Sequence, residues 1–219
     1  MFTYIYLHGF ASGPSSSKAQ YFAARLAEAG VALQTPRLDG GDFEGMTITS
    51  QLEQLARAAG SGPVRLIGSS LGGWLAALYA SRNPAVDRVV LLAPAFGFVS
   101  LFSAMFGPQE MSEWKRTGST RVFHYGSGGE RLLSFRFFED AQQYPQFPDF
   151  AQPGLIIHGV RDDTVPLENS IHFRDRHPNL ALLTVDSGHE LADVTDQLWR
   201  ETREFFGLCQ LANEGLPTG

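Results

Sequence analysis

Short apolar segments alternate with helix-patterned segments along most of this chain. Continuously apolar strands separated by helices are typical of a parallel sheet that is covered on both faces, so the alternation predicts an α/β fold. The predicted strands lie at 2–7, 31–36, 64–67, 88–92, 154–159 and 181–185. The predicted helices lie at about 15–30, 47–59, 71–81 and 195–206, with one more between 159 and 181.

Size and charge limit the class of protein. A chain of 219 residues with 43% apolar content can bury a substantial core, and we expect a single domain over 1–208 with an unpatterned tail at 209–219. The net charge of -6 is spread along the chain, which disfavours a nucleic-acid partner. No Cys/His cluster has the spacing of a zinc site, so we expect neither a metal nor an organic cofactor.

The cellular location is predicted from three features. Cys209 is the only cysteine and cannot form an internal disulfide, which fits a reducing compartment. The sequence begins with an apolar strand pattern, "MFTYIYLHGF", rather than with a basic leader, and no apolar run is long enough to cross a bilayer. We therefore expect a cytoplasmic protein without a membrane partner.

Candidate functional residues follow four of the predicted strands. In open α/β sheets, ligands bind beyond the carboxyl ends of the strands, so these positions are expected to converge on one site. They are Phe10 after 2–7, Ser69 and Ser70 after 64–67, Asp162 and Asp163 after 154–159, and His189 after 181–185. A serine, an acid and a histidine thus occur in that order along the chain.

Ser70 is the candidate nucleophile because it lies at the centre of a G-x-S-x-G motif. A sharp strand-to-helix turn exposes such a serine and requires neighbours almost free of side chains at the two flanking positions, here Gly68 and Gly72. Ser69 has no such pair and is assigned to packing or hydrogen bonding. The alternative, a tight turn with only a structural role, is weakened by the predicted strand before Ser70 and helix after it.

His189 and Asp162 are the candidate base and acid. His189 lies in a loop after the last predicted strand, whereas His8 and His158 lie at strand ends and are expected to brace loops. A base needs an acceptor on its second ring nitrogen, and Asp162 precedes Asp163 at the first turn position after its strand. We favour Asp162 as that acceptor and expect Asp163 to cap the following helix.

Two backbone amides are candidates for an oxyanion hole. Leu71 follows the nucleophile at a helix start, and Phe10 follows Gly9 in the loop after the first strand. Donors of this kind stabilise the developing negative charge on the substrate oxygen by about 3 kcal/mol each. Since the amides act rather than the side chains, the identity of Leu71 as leucine is not expected to matter for this role.

Taken together, these segments resemble the α/β-hydrolases. The stretches "YLHGFASGPSSSKA", "IGSSLGGWLAALYA", "LLAPAF", "HGVRDDTVP" and "SGHEL" are most similar to the small bacterial YqiA/YcfP-like esterases, over about residues 3–206. The resemblance implies the α/β-hydrolase fold with a mostly parallel sheet, and a Ser70, Asp162 and His189 triad. It also implies Phe10 and Leu71 as oxyanion donors, and it leaves the physiological substrate open.

Residues 95–153 form an aromatic-rich insertion at the place where this fold commonly carries a lid. The segment holds 10 of the 17 phenylalanines. A hairpin is predicted over 119–138, with short helices near 98–107 and 138–144. Most of these aromatic residues are expected to form the core of the insertion, and the others to line an apolar pocket. The candidate pocket residues are His8, Ser12, Phe96, Phe98 and Trp114.

Three functional hypotheses remain from the sequence. The first is a serine carboxylesterase that acts on small to medium apolar acyl or aryl esters. The second is an acyl-CoA thioesterase or acyltransferase with the same triad, and the third is a non-catalytic protein that binds ligands on a hydrolase scaffold. The partner expected in each case is a small molecule, and the sequence does not decide between a monomer and a homodimer.

Overall fold

A six-stranded parallel sheet lies at the centre of the protein, whose computed structural model describes residues 1–208. The tail predicted at 209–219 lies outside the described residues. The strands are β1 (Thr3–Leu7), β2 (Leu33–Gln34), β3 (Val64–Ser69), β4 (Val86–Leu92), β5 (Ser119–His124), β6 (Gly129–Ser134), β7 (Gly154–Gly159) and β8 (Leu180–Val185). The sheet order is β2-β1-β3-β4-β7-β8, and β5 and β6 form a separate antiparallel pair. The α/β prediction is confirmed.

Helices cover both faces of the sheet. They are α1 (Ser17–Glu28), α2 (Ile48–Ala59), α3 (Leu71–Ala80), α4 (Phe98–Thr117), α5 (Arg136–Ala141), α6 (Leu167–Asp175) and α7 (Thr195–Phe205). Successive residues of a strand point to opposite faces, so Tyr6 packs with α1 and α7 whereas Leu7 packs with α2 and α3. Burial on both faces explains why the central strands are apolar without alternation.

Three predicted elements differ from the structure. The strand predicted at 31–36 is reduced to Leu33–Gln34, because it lies at the edge of the sheet and pairs only with β1. The predicted hairpin ends at Ser134, and the last part of the 119–138 segment forms α5 instead. The helix predicted at 98–107 is followed by a second helical segment after a break at Gly107, where φ is 74° and Pro108 follows.

None of the helices within residues 1–208 combines the length and the apolar character that crossing a bilayer requires.

Candidate active site

Ser70 occupies a strained turn between β3 and α3. Its backbone has φ 54° and ψ -118°, outside the regions that non-glycine residues ordinarily adopt. The Ser70 N–H donates to the Leu92 carbonyl at 2.9 Å, and the Ser70 carbonyl accepts from the amides of Gly73 and Ala95. These bonds to neighbouring elements hold the serine in a conformation that costs about 1–3 kcal/mol. The strand, turn and helix that the motif predicted are all present.

The two glycines of the motif are required by backbone packing. A Cβ atom on Gly68 would lie 2.2 Å from the Gly72 carbonyl oxygen, and a Cβ atom on Gly72 would lie 2.2 Å from the Leu7 carbonyl oxygen. Neither contact can be relieved by turning a side chain, since the opposing atoms belong to the backbone. Glycine at both positions therefore lets α3 approach the end of β1.

We expect Gly72→Ala to destabilise the protein because its added methyl group would overlap the backbone of β1. A cost of about 3 kcal/mol would lower the melting temperature by about 10 °C in a protein of this size. Gly62→Ala is the matched control, because a Cβ atom there would meet no atom within 4 Å. Thermal unfolding followed by circular dichroism measures both variants, and equal melting temperatures would contradict the packing argument.

His189 lies between Ser70 and Asp162 in an unbroken hydrogen-bonded chain. Its Nε2 is 3.0 Å from Ser70 Oγ, and its Nδ1 is 2.8 Å from Asp162 Oδ2. A carboxylate can only accept, so Nδ1 carries a proton and Nε2 faces the serine as an acceptor. The structure thus brings the three residues predicted from separate strand ends into one arrangement, and the neutral imidazole has the tautomer that a general base needs.

Asp162, rather than Asp163, faces His189. The Asp162 side chain is fully buried, and its Oδ1 accepts the amides of Thr164 and Val165 at 2.9 and 2.8 Å. Burial alone would raise the pKa of Asp162, but hydrogen bonds from His158, His189 and the Val165 amide outweigh burial and hold the pKa below its usual value. Asp162 is therefore a carboxylate throughout the physiological range.

Asp163 does not have the capping role that the sequence predicted. The Asp163 side chain is exposed and is hydrogen-bonded only to the Thr164 hydroxyl within the described chain. Helix α6 begins at Leu167 with Pro166 as its N-cap residue and has no side-chain cap. The carboxylate that binds the amides of the turn is that of Asp162, which explains how one aspartate both shapes the loop and meets His189.

Lys18 links the start of α1 to the loop that carries His189. Its ammonium group donates to the Glu190 carbonyl and lies 3.6 Å from the Glu190 carboxylate. Burial lowers the pKa of Lys18, and the charges of Glu190 and Asp162 oppose that effect. No motif in the sequence singles out this lysine. Its position in the first turn of α1 gave no signal that it would contact a residue 172 positions away.

The candidate oxyanion donors both lie beside Ser70. Gly9 is so close that a Cβ atom on it would be 3.5 Å from Ser70 Cβ, and Phe10 and Leu71 both line the cavity above the serine. Within residues 1–208, neither the Phe10 amide nor the Leu71 amide donates a hydrogen bond. Both N–H groups are thus available to a substrate oxygen.

A cavity of about 1070 Å³ opens directly onto Ser70 and His189. One side is apolar and is formed mainly by α4, which contributes Phe98, Leu101, Phe102 and Met105. Polar lining residues come from the segment before and at the start of α1, between Ser12 and Lys18, and from Glu190. The site therefore combines an apolar recess with a hydroxyl-rich wall.

The cavity contains two of the five predicted pocket residues. Ser12 and Phe98 line it, whereas the assignment of His8, Phe96 and Trp114 is wrong. Phe96 is fully buried and packs on Phe173 with ring centroids 4.1 Å apart. The indole N–H of Trp114 donates to the Leu133 carbonyl, and its ring belongs to the core of the insertion.

His8 is absent from the cavity because its ring is buried beside the loop after β1. Its Nδ1 donates to the Gly9 carbonyl at 3.0 Å, and burial lowers its pKa. The loop-bracing role expected for this histidine matches that contact. The lining residues on α4 that were not predicted include Leu101, Phe102 and Met105, which lie three, four and seven positions after Phe98 and so could have been found from helical spacing.

Comparison with known proteins identifies the family of this chain. The model of the uncharacterised protein family UPF0227 matches residues 3–206. A mouse protein named palmitoyl-protein thioesterase ABHD10, mitochondrial, is 29% identical over 147 residues, which cover 62% of this chain and 48% of the relative. The chain thus spans about half the length of the curated relatives it matches.

Solved structures show the same fold. The alpha/beta hydrolase domain-containing protein 10 from mouse superposes with a TM-score of 0.77 at 22% identity, over 94% of this chain and 89% of that one. Est1E from Butyrivibrio proteoclasticus with bound ferulic acid superposes with a TM-score of 0.70 at 21% identity, over 94% and 88% of the two chains. This chain therefore belongs to the UPF0227 family and has the α/β-hydrolase fold.

Proposed function

We propose that this protein is a serine hydrolase that cleaves carboxylic esters of small to medium apolar acyl or aryl groups. The observation that carries the proposal is the chain of hydrogen bonds from Asp162 through His189 to Ser70, which ends in a cavity with an apolar recess. A serine hydroxyl becomes an effective nucleophile only when a base removes its proton, and His189 Nε2 is within reach to do so.

The reaction has two stages. In the first, Ser70 Oγ attacks the ester carbonyl carbon as its proton passes to His189 Nε2, and the tetrahedral intermediate then expels the alcohol, which takes that proton. In the second, His189 accepts a proton from water while the water oxygen attacks the acyl-enzyme carbonyl. Collapse of this intermediate releases the carboxylic acid and returns the proton to Ser70. Asp162 stabilises the imidazolium of His189 in both stages.

The negative charge on the substrate oxygen requires donors that are already in place. The amides of Phe10 and Leu71 flank Ser70 and have no acceptor within the described chain, so we assign the oxyanion hole to them. The Phe10 ring is anchored against Phe102 and Phe137, with centroids 5.0 and 5.6 Å away. This anchoring holds the Phe10 amide in position before substrate binds, as electrostatic stabilisation of a transition state requires.

The apolar recess supports an acyl or aryl group of moderate size. Phe98, Leu101 and Phe102 offer aromatic and aliphatic surface with no charged group among them. Burial of each methylene of a substrate chain in such a recess contributes about 0.8 kcal/mol. A substrate with a charged or strongly hydrated acyl group would lose that contribution and leave its polar groups unpaired against α4.

A thioesterase is the second candidate function. The curated relatives are named palmitoyl-protein thioesterases, and the same triad would attack a thioester carbonyl without any change of residues. The two functions differ in the leaving group, which is an alcohol in one case and a thiol in the other. An acyltransferase would differ again, because an acceptor other than water would enter the second stage.

Parallel assays on p-nitrophenyl esters and acyl-CoA thioesters of matched chain length, from acetyl to lauroyl, test the proposal. We expect kcat/KM on the esters to rise by about 4-fold per methylene until the recess is filled, following the transfer free energy of the chain. Higher kcat/KM on every thioester would favour the second candidate. Folded protein that neither turns over these substrates nor labels with a fluorophosphonate would be a non-catalytic binding protein.

The cytoplasm is the location that we propose for this activity. The proposal rests on the single cysteine of the chain, Cys209, which cannot form an internal disulfide and so fits a reducing compartment. The curated relatives have names that include the word mitochondrial, which is a different location. Fractionation of cells with an antibody against this protein tests it. The partner that we propose is a small-molecule ester.

A further inference from the structure

His158 is a buried group close to the site that the proposed mechanism does not use. It lies on β7, is fully buried, and has hydrogen-bond partners on both ring nitrogens. Its Nε2 is 3.1 Å from Asp162 Oδ2 and 3.0 Å from the Val165 carbonyl, and its Nδ1 is 2.8 Å from Ser170 Oγ. His158 thus meets the same oxygen of the Asp162 carboxylate as His189 does.

The partners of His158 determine which nitrogen carries the proton. Nε2 faces a carboxylate oxygen and a carbonyl oxygen, both of which only accept, so the hydrogen lies on Nε2. Nδ1 of the neutral ring is then an acceptor, and the Ser170 hydroxyl donates to it. Ser170 is itself fully buried on α6. The two acceptors at Nε2 therefore fix the tautomer of His158, and the Ser170 hydroxyl satisfies the remaining ring nitrogen.

Donors surround both oxygens of the Asp162 carboxylate. Oδ1 accepts the amides of Thr164 and Val165, and Oδ2 accepts from His189. The single Nε2–H of His158 lies between the Val165 carbonyl, to which it is hydrogen-bonded, and Asp162 Oδ2, which is 3.1 Å from Nε2. The carboxylate cannot rotate without breaking at least two hydrogen bonds in a buried setting, which fixes the direction in which Oδ2 meets His189.

We propose that His158 is a positioning residue of the active site, which orients the Asp162 carboxylate toward His189 while the hydrogen bond to Ser170 holds the His158 ring in place. The inference rests on the proposed hydrolase function. It extends the triad by two buried side chains on β7 and α6, neither of which lines the substrate cavity. Since His158 touches neither substrate nor the reacting atoms, its effect is exerted through Asp162.

The charges around Asp162 decide the expected pH effect. The groups that face it are the rings of His158 and His189, with the ammonium of Lys18 further away and the Asp163 carboxylate next to it in the chain. Loss of the His158 donor leaves more of the negative charge of Oδ2 to interact with His189. Protonated His189 is then bound more strongly, so the acid limb of the kcat/KM profile is expected to move to higher pH.

A purely structural role makes a different prediction. In that case His158 only braces the loop through the Val165 carbonyl. Replacement of His158 then lowers the stability of the protein without altering the acid limb of the kcat/KM profile. His177 supplies the matched control, because it is also buried and its Nε2 is 2.9 Å from the Asp149 carboxylate, away from Ser70. His177→Leu also removes a buried histidine that is paired with a carboxylate, but the Asp149 carboxylate is exposed and is not hydrogen-bonded to His189 within the described chain.

The first test compares His158→Leu, His158→Gln and His177→Leu on a p-nitrophenyl ester. We expect His158→Leu to lower kcat by about 10- to 100-fold, the range that misplacement of a catalytic group produces, with KM unchanged. In His158→Leu, the acid limb of the kcat/KM profile should move up by about half a pH unit. His158→Gln offers an amide N–H near the position of Nε2 and should recover most of kcat. His177→Leu should alter only the melting temperature.

The second test removes the Ser170 hydroxyl, which is a smaller change. Ser170→Ala should lower kcat by about 3-fold, because the buried Nδ1 lone pair loses its donor and the His158 ring is held less firmly. Thr202→Val is the control, since the Thr202 hydroxyl is buried without a partner in the described chain and lies on α7. This pair keeps the proposal testable if His158→Leu does not fold.

Proton NMR supplies a readout that does not depend on turnover. The Nδ1–H of His189 that is bonded to Asp162 should give a far-downfield signal in the wild type, displaced in His158→Leu and unchanged in His177→Leu. Unchanged kcat, acid limb and downfield signal in a folded His158 variant would overturn the inference and leave the hydrolase proposal standing. A wild type without ester turnover but with the displaced signal in His158→Leu would support the positioning role and refute the proposed function.

Discussion

Replacement of Ser70 by alanine is expected to lower kcat for ester hydrolysis by on the order of 10⁶-fold. The variant retains the cavity, His189 and the amides of Phe10 and Leu71, but it has no atom that can form the acyl-enzyme. The remaining rate would come from water activated by His189 next to the oxyanion donors. Alanine is smaller than serine and fits the turn, so the strained backbone is expected to persist.

Ser69→Ala is the control for this experiment because Ser69 is the adjacent serine and also lines the cavity. Its side chain has no contact with His189, and we expect kcat within about 3-fold of the wild type. Mass spectrometry after fluorophosphonate treatment should place the adduct on Ser70 in both the wild type and Ser69→Ala. Near-normal turnover by Ser70→Ala, or an adduct on Ser69, would refute the assignment of the nucleophile.

The positions of the candidate catalytic residues could be predicted because fold geometry determines them. Parallel strands end at one edge of the sheet, so Ser70, Asp162 and His189 converge there although up to 119 residues separate them in sequence. The choice of Ser70 over Ser69 followed from glycine spacing, and the backbone contacts of Gly68 and Gly72 supply the physical reason. Local sequence rules were therefore sufficient where one turn or one strand end decided the outcome.

Packing between distant elements could not be predicted in the same way. Whether an aromatic residue of the insertion points into the cavity or into its own core depends on how α4, β5 and β6 pack, and for this reason Phe96 and Trp114 were misassigned. His158 was expected only to brace a loop, because its contact with Asp162 requires the chain to turn back over four residues. Composition and periodicity contain no information about that turn.

Asp162→Asn is expected to lower kcat by on the order of 10⁴-fold, whereas Asp163→Asn should remain within about 2-fold of the wild type. The amides of Thr164 and Val165 require an acceptor at Oδ1, so the oxygen of the new asparagine faces them and its NH₂ group faces the two histidines. His189 must then accept on Nδ1 and carry its proton on Nε2. In that tautomer Nε2 points a hydrogen at Ser70 and cannot remove the proton of the hydroxyl.

The two variants separate an electrostatic effect from a tautomer effect, because each removes one negative charge from the same loop. Asp163 is exposed and has no contact with His189, so its neutralisation changes the local charge while the hydrogen bonds of the triad remain. Steady-state kinetics on one ester, together with thermal melts that verify folding, compares them. Equal losses in both variants would indicate that loop charge controls catalysis, and a larger loss in Asp163→Asn would identify Asp163 as the acid. A loss confined to Asp162→Asn is the result that the tautomer argument requires, since only Asp162 determines which nitrogen of His189 faces the serine.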